Sequence, residues 1–217
     1  MEHTQFNGDS DRPVLALPSP KTRDVVIRRI QHAAVPITLV GLGLSLALVS
    51  YVSLQDSTEN GLVPAQEKED SGLPVRLIIP AITVDAPLEY VGLAPDGVMG
   101  VPESPDNGAW FEQGPRPGEA GSAVIAGHYG WKDGKTAVFD NLHTLQKGDK
   151  LHVVNDRGEI VTFVVREIRS YDPQADAGEV FGSSDGRAHL NLITCEGTWN
   201  KTQNSYSKRL VIFTDKE

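Results

Sequence analysis

The chain has 217 residues and a net charge of −9 at neutral pH. That length suits one ordinary domain plus extra segments. The acidic balance argues against a nucleic-acid partner, which calls for a basic face. Hydrophobic residues make up 39% and aromatics 6%, enough for a modest core, while 21 glycines and 14 prolines imply many turns. No internal repeat is visible, and no run of like charge is long enough to act as a binding tail.

Residues 1–20 are polar, carry Pro13, Pro18 and Pro20, and are expected to lack fixed structure. Lys21, Arg23, Arg28 and Arg29 follow, opposed only by Asp24. Ala33 to Val52 then contains no charged residue, and its 20 residues match a bilayer core of ~30 Å at ~1.5 Å per residue. Pro36, Gly41 and Gly43 are tolerable in a membrane helix. Basic residues before the span and Asp56 and Glu59 after it orient the N-terminus to the cytoplasm. A cleaved signal peptide would place a shorter apolar run, ~7–15 residues, near the chain start. The pattern predicts a cytoplasmic tail over 1–32, a transmembrane anchor over 33–52, a polar linker over 53–73 and an extracellular folded domain over 74–217.

Within that domain, Val75 to Ile79 is a strand ended by Pro80. Ile82 to Val84 and Leu88 to Val91 are two further short strands. Residues 92–122 are dense in glycine and proline and read as one long irregular segment of the kind that tends to be functional. Ser122 to Gly127 is an apolar strand running into His128, and Ala137 to Leu142 suggests a short helix or turn. Lys150 to Val154 and Ile160 to Tyr171 form a hairpin across Asn155-Asp156-Arg157-Gly158. The last strands are Leu190 to Cys195 and Arg209 to Thr214. Short strands, Gly/Pro turns and little helical periodicity indicate an all-β sandwich or closed barrel.

Cys195 is the only cysteine, so it cannot form an intramolecular disulfide. Outside the membrane a structural cysteine normally has a partner, which leaves a small buried hydrophobe or a nucleophile. A nucleophile needs a proton-transfer group and an oxyanion donor. His128 stands at a strand end between glycines, in Ala126-Gly127-His128-Tyr129-Gly130. His143 falls in a loop-like segment and His152 on a hairpin strand. His189 is six residues before Cys195 on the same strand, roughly 20 Å away if extended, and cannot reach the thiol. Arg209 opens the last strand, and antiparallel pairing with the cysteine strand would bring its guanidinium to the thiol as a carbonyl or oxyanion donor. Cys195 shares a strand face with Ile193 and Asn191.

Ala123-Val124-Ile125-Ala126-Gly127-His128, Leu192-Ile193-Thr194-Cys195 and Arg209-Leu210-Val211, in that order, resemble a sortase, a membrane-anchored cysteine transpeptidase of Gram-positive bacteria. Arg76-Leu77-Ile78-Ile79-Pro80 and Val84-Asp85-Ala86-Pro87 look like the family's first strands, so the resemblance covers about two-thirds of the chain. It implies a closed eight-stranded sortase-type β-barrel with short helices, behind an N-terminal transmembrane helix. Cys195 would attack the Thr–Gly carbonyl of an LPxTG-like sorting signal on a surface protein. His128 would serve the leaving and incoming amines, and Arg209 would hold the substrate and the oxyanion. Thr194 and Asn191 would contact substrate, and a cell-wall precursor amine would accept the acyl group.

The family motif often has threonine where Asn191 stands. With no lid segment evident before the first strand and no second apolar span, the pattern looks closer to the housekeeping-like or actinobacterial classes E or F than to the pilus-polymerising class. Some sortases bind calcium through loop carboxylates. Asp133, Asp140 and Asp172 are available, but no cluster has EF-hand spacing, so no metal or cofactor is expected. Two alternatives stand beside the transpeptidase. One is an extracytoplasmic cell-wall cysteine peptidase, which usually sets its cysteine before the histidine at a helix N-terminus. The other is a non-catalytic anchored β-domain that binds a surface ligand.

Overall fold

The computed structural model describes residues 71–217 apart from Asp96, Gln203 and Asn204, together with the backbone but not the side chain of Asp133. The expected tail and anchor, and all but the last three residues of the linker, lie outside the described residues. Among the described residues, no helix is long and apolar enough to cross a membrane.

Eight strands close into a barrel. They are β1 (Pro74–Ile79), β2 (Val84–Val91), β3 (Gly108–Phe111), β4 (Gly121–Gly127), β5 (Lys150–Asn155), β6 (Ile160–Tyr171), β7 (Ala188–Asn200) and β8 (Ser205–Lys216). The order round the barrel is β1-β2-β3-β4-β7-β8-β6-β5, and closure leaves no sheet edge. The β2–β3 and β4–β7 pairs are parallel and the others antiparallel. A single four-residue α-helix, α1 (Gly178–Phe181), stands between β6 and β7, and three short 3-10 turns complete the described helices.

Strand alternation divides the core in two. Leu77, Ile125, Leu151, Phe163, Leu190, Leu192, Leu210 and Ile212 come from strands all round the barrel and fill its interior. Val124, Ala126, Ile193, Val211 and Phe213 point the other way and pack under Met99, Phe111, Ala177 and Val180. β4, β7 and β8 are therefore buried on both faces along their apolar runs, which is why each reads as a continuous hydrophobic stretch.

Several expectations are revised. The two strands expected between Ile82 and Val91 are one strand, β2, preceded by a 3-10 turn over Pro80–Ile82. The segment 92–122 is not irregular throughout, because it contains β3, all four of whose residues are buried. β7 does not end at Cys195 but runs on to Asn200, and β8 begins at Ser205 rather than Arg209. The two strands continue as a hairpin past the cysteine, with Trp199 opposite Tyr206 and an irregularity between Glu196 and Trp199. Gly197 sits in that irregularity with φ +85°, and a Cβ there would lie 2.3 Å from Ser207 Oγ.

Candidate active site

β7 lies between β4 and β8, so Cys195, within β7, has β8 on one side and the end of β4 on the other. Cys195 pairs directly with Arg209 in the antiparallel β7–β8 ladder. Directly opposed residues share a face with Cβ atoms about 5 Å apart. On the other side, β4 runs parallel to β7 with Ala126 beside Ile193. β4 ends one residue later at Gly127, and His128 follows it directly. Thr194 fixes this junction, because its buried hydroxyl donates to the Gly127 carbonyl at 2.8 Å. The Phe139 N–H donates to the His128 carbonyl at 3.1 Å. Phe139 packs so tightly here that a Cβ on Gly127 would approach it to 2.4 Å, so only glycine fits before His128.

The His128 ring is oriented by its surroundings. Its Nε2 lies 2.7 Å from the Pro102 carbonyl oxygen. A carbonyl can only accept, so Nε2 carries hydrogen and Nδ1 is the nitrogen that can exchange a proton. Trp131 meets the ring edge-on, with centroids 4.7 Å apart. The loop that presents Pro102 is organised by Glu89, whose carboxylate accepts from the backbone N–H of Glu103 at 2.7 Å and of Ser104 at 3.2 Å and from Asn107 Nδ2 at 2.8 Å. Burial alone would raise the Glu89 pKa, but these donors, with His128 nearby, outweigh it and hold the carboxyl below its ordinary value.

The thiol is mostly shielded. Burial pushes the Cys195 pKa above its ordinary value, and the Arg209 guanidinium opposes this only in part. Arg209 is itself buried, at 3% exposure. Its Nη1 donates to the carbonyls of Tyr206 at 3.2 Å and Lys208 at 3.0 Å, and its Nη2 to Ser205 Oγ at 3.1 Å. The fork is thus pinned at the β7–β8 hairpin beside the cysteine. A cavity of about 160 Å³ opens at Cys195, lined by Tyr129, Phe139, His143, Thr194, Glu196 and Leu210.

A model of the sortase domain matches residues 77–217. The chain belongs to the sortase family. Sortases are cysteine transpeptidases, and this sortase carries its single cysteine on β7, flanked by β4 and β8. Similar solved structures include sortase C-1 from Actinomyces oris, at 25% identity and TM-score 0.50, covering 66% of this chain and 74% of that one. Sortase A from Corynebacterium diphtheriae matches at 22% identity and TM-score 0.51, covering 67% of this chain and 60% of that one. A sortase C1 from Streptococcus agalactiae matches at 22% identity and TM-score 0.53, covering 68% of each chain. These likenesses establish the shared barrel without choosing a subclass. No curated protein matches the chain.

The remaining expected residues fall in different places. Thr194 lines the Cys195 cavity, but its hydroxyl is engaged by Gly127, which makes it a residue that positions the strand ends. Asn191 is buried under α1, and its Nδ2 donates to the Val180 carbonyl at 2.6 Å. Its Oδ1 has no hydrogen-bond partner among the described residues. It lies four residues before Cys195, roughly 13 Å along the strand. His189 is at the far end of β7, between Asp215 at 2.8 Å and Asp185 at 3.0 Å, away from the thiol as expected. His152 is on β5, 3.0 Å from Thr162 Oγ1. Among the described residues no three His, Cys, Asp or Glu side chains group as a metal site, and Asp140 instead accepts the Gly130 N–H at 2.6 Å. The sequence marks His143 only as a loop residue and gives Tyr129 and Tyr206 no role; the fold brings all three to the surroundings of the cysteine.

Proposed function

We propose that this sortase is anchored by residues 33–52, with 1–32 cytoplasmic, 53–73 as linker and the catalytic domain 74–217 outside the cell. It cleaves an LPxTG-like sorting signal of surface proteins and joins the acyl part to an amine of a cell-wall precursor. The observation that carries this is the direct pairing of Cys195 with Arg209 beside the β4 end that bears His128. We favour a class E or F affinity; Asn191, where the family motif often has threonine, is buried under α1 and acts through packing rather than substrate contact.

Burial pushes the Cys195 pKa up, opposed by Arg209. His128 Nδ1 takes the thiol proton as the sulfur attacks the threonine carbonyl. Arg209 stabilises the oxyanion with its fixed fork of donors. Collapse breaks the peptide C–N bond, and His128 returns the proton to the leaving amine, leaving a thioester. An incoming amine then attacks the thioester, His128 accepts a proton from it, and the proton passes to the departing sulfur.

The test is incubation of the full chain with an LPxTG peptide and an amine, beside Cys195→Ala. Cleavage and amine-dependent transfer by the wild type alone support the proposal. No cleavage, together with a thiol that resists alkylation, overturns it.

A further inference from the structure

A second cavity, about 440 Å³, adjoins the cysteine site. Tyr129, Trp131, Lys135, Asp140 and Tyr206 line it, and Tyr129 also lines the Cys195 cavity. Its lining residues adjoin both reacting groups. Tyr129 directly follows His128, and Trp131 touches the His128 ring at 4.7 Å. Tyr206 lies close enough to Cys195, Tyr129 and Asp140 to feel the charge of each, although burial is the larger cause of its raised pKa.

The lining is specific in character. Tyr129 and Tyr206 meet edge to face at 5.4 Å, and Trp199 braces Tyr206 from behind at 5.1 Å. Lys132 Nζ already sits 5.4 Å from the centre of the Trp131 ring, so a cation is accommodated against this aromatic group. Asp140 Oδ1 accepts the Gly130 N–H at 2.6 Å, and Oδ2 has no hydrogen bond among the described residues. A carboxylate oxygen among aromatic rings suits a primary ammonium. The face under α1 is different: it is apolar and built from Val124, Ile193, Val211 and Phe213.

We infer that the cavity bounded by Tyr129, Trp131, Asp140 and Tyr206 is the binding site for the acceptor amine, which it takes as a primary ammonium. This rests on the transpeptidase function proposed above and gives the second substrate its own approach to the thioester. The bound ammonium gives one proton to solvent. The neutral amine attacks the thioester carbonyl, so that the C–N bond forms and the C–S bond breaks. A second proton passes through His128 to the Cys195 sulfur, leaving an amide and a free thiol.

The test uses alanine amide, a primary amine without a carboxylate, and N-acetylalanine amide, which has no ammonium. The full chain cleaves a sorting peptide in the presence of each, and the transfer and hydrolysis products are counted. Both products come from one thioester, so their ratio is independent of acylation. Asp140→Asn keeps an oxygen for Gly130 but removes the charge, and is expected to lower the transfer-to-hydrolysis ratio about tenfold. Lys135→Glu, at an exposed position, is expected to raise it. A ratio unmoved by both substitutions overturns the assignment. Binding to the Cys195→Ala chain, followed by the Trp131 indole NMR signal, needs no turnover. A shift with alanine amide that is absent with the acetylated form and in the Asp140→Asn double variant supports the site, and no shift overturns it. Absent cleavage by the wild type would count against the transpeptidase alone, leaving the site to the binding measurement.

Discussion

Cys195 and Arg209 are direct cross-strand partners within the β7–β8 ladder, and the guanidinium is pinned by three oxygen acceptors of the same hairpin. Two opposing influences on the thiol follow. Burial raises its pKa and the neighbouring cation lowers it, with burial the stronger. The alkylation rate of Cys195 should therefore rise with pH through a midpoint above the ordinary thiol value of about 8.5. Arg209→Met removes the lowering influence and should move that midpoint further up. Iodoacetamide kinetics against pH check this, and a downward shift would contradict it.

Gly127 is where backbone packing governs chemistry. A methyl group there meets Phe139 at 2.4 Å. Gly127→Ala should cost about 1–3 kcal/mol by overpacking. It should also reduce sorting-peptide cleavage, because the displaced chain bears His128. Urea unfolding and the cleavage assay measure the two effects separately.

Thr194 should behave as a positioning residue. Thr194→Val keeps the shape but loses the hydrogen bond to the Gly127 carbonyl. The expected cost is about 1–3 kcal/mol, because a buried acceptor is left unsatisfied. Cleavage should fall with it, and Thr194→Ser should restore both.

Glu89 gives a pH signature. Its folded pKa lies below its unfolded value, so its stabilising contribution is full above the unfolded value and is lost as pH falls through the folded one. Glu89→Gln should be less stable than the wild type at neutral pH, with the gap closing between about pH 5 and pH 3. Thermal unfolding across that range reads it. The variant should also show faster hydrogen exchange at Glu103 and Ser104, whose N–H groups lose the carboxylate as acceptor.

Much of the barrel was legible because periodicity and punctuation agree. Pro80 ends β1, the Asn155–Gly158 turn joins β5 to β6, and the apolar runs before His128 and Cys195 are strands. β3 was hidden because four buried residues, Gly108–Phe111, give too short a pattern among glycines and prolines. α1 is a single turn, below the length at which helical period shows. The extension of β7 beyond Cys195 was missed because Glu196 to Asn200 are mostly polar and exposed, and pairing with β8 rather than burial makes them a strand.

At the site, the order and spacing of His128, Cys195 and Arg209 could be read along the chain. The neighbours could not. Pro102 and Glu89 shape the histidine from 26 residues and more away, through one carbonyl contact and a loop. Tyr206 faces the thiol only because the hairpin folds back. Such groups carry no local motif, and only strand order identifies them.

The most direct measurement is the intact mass of the full chain, quenched by acid during incubation with an LPxTG peptide. A single acyl adduct is expected on Cys195. It should be absent in Cys195→Ala, strongly reduced in Arg209→Met, and discharged by added amine. An unmodified wild-type mass under conditions where the peptide is cleaved, or an adduct that persists in Cys195→Ala, would contradict the central claim that Cys195 is the nucleophile of this site.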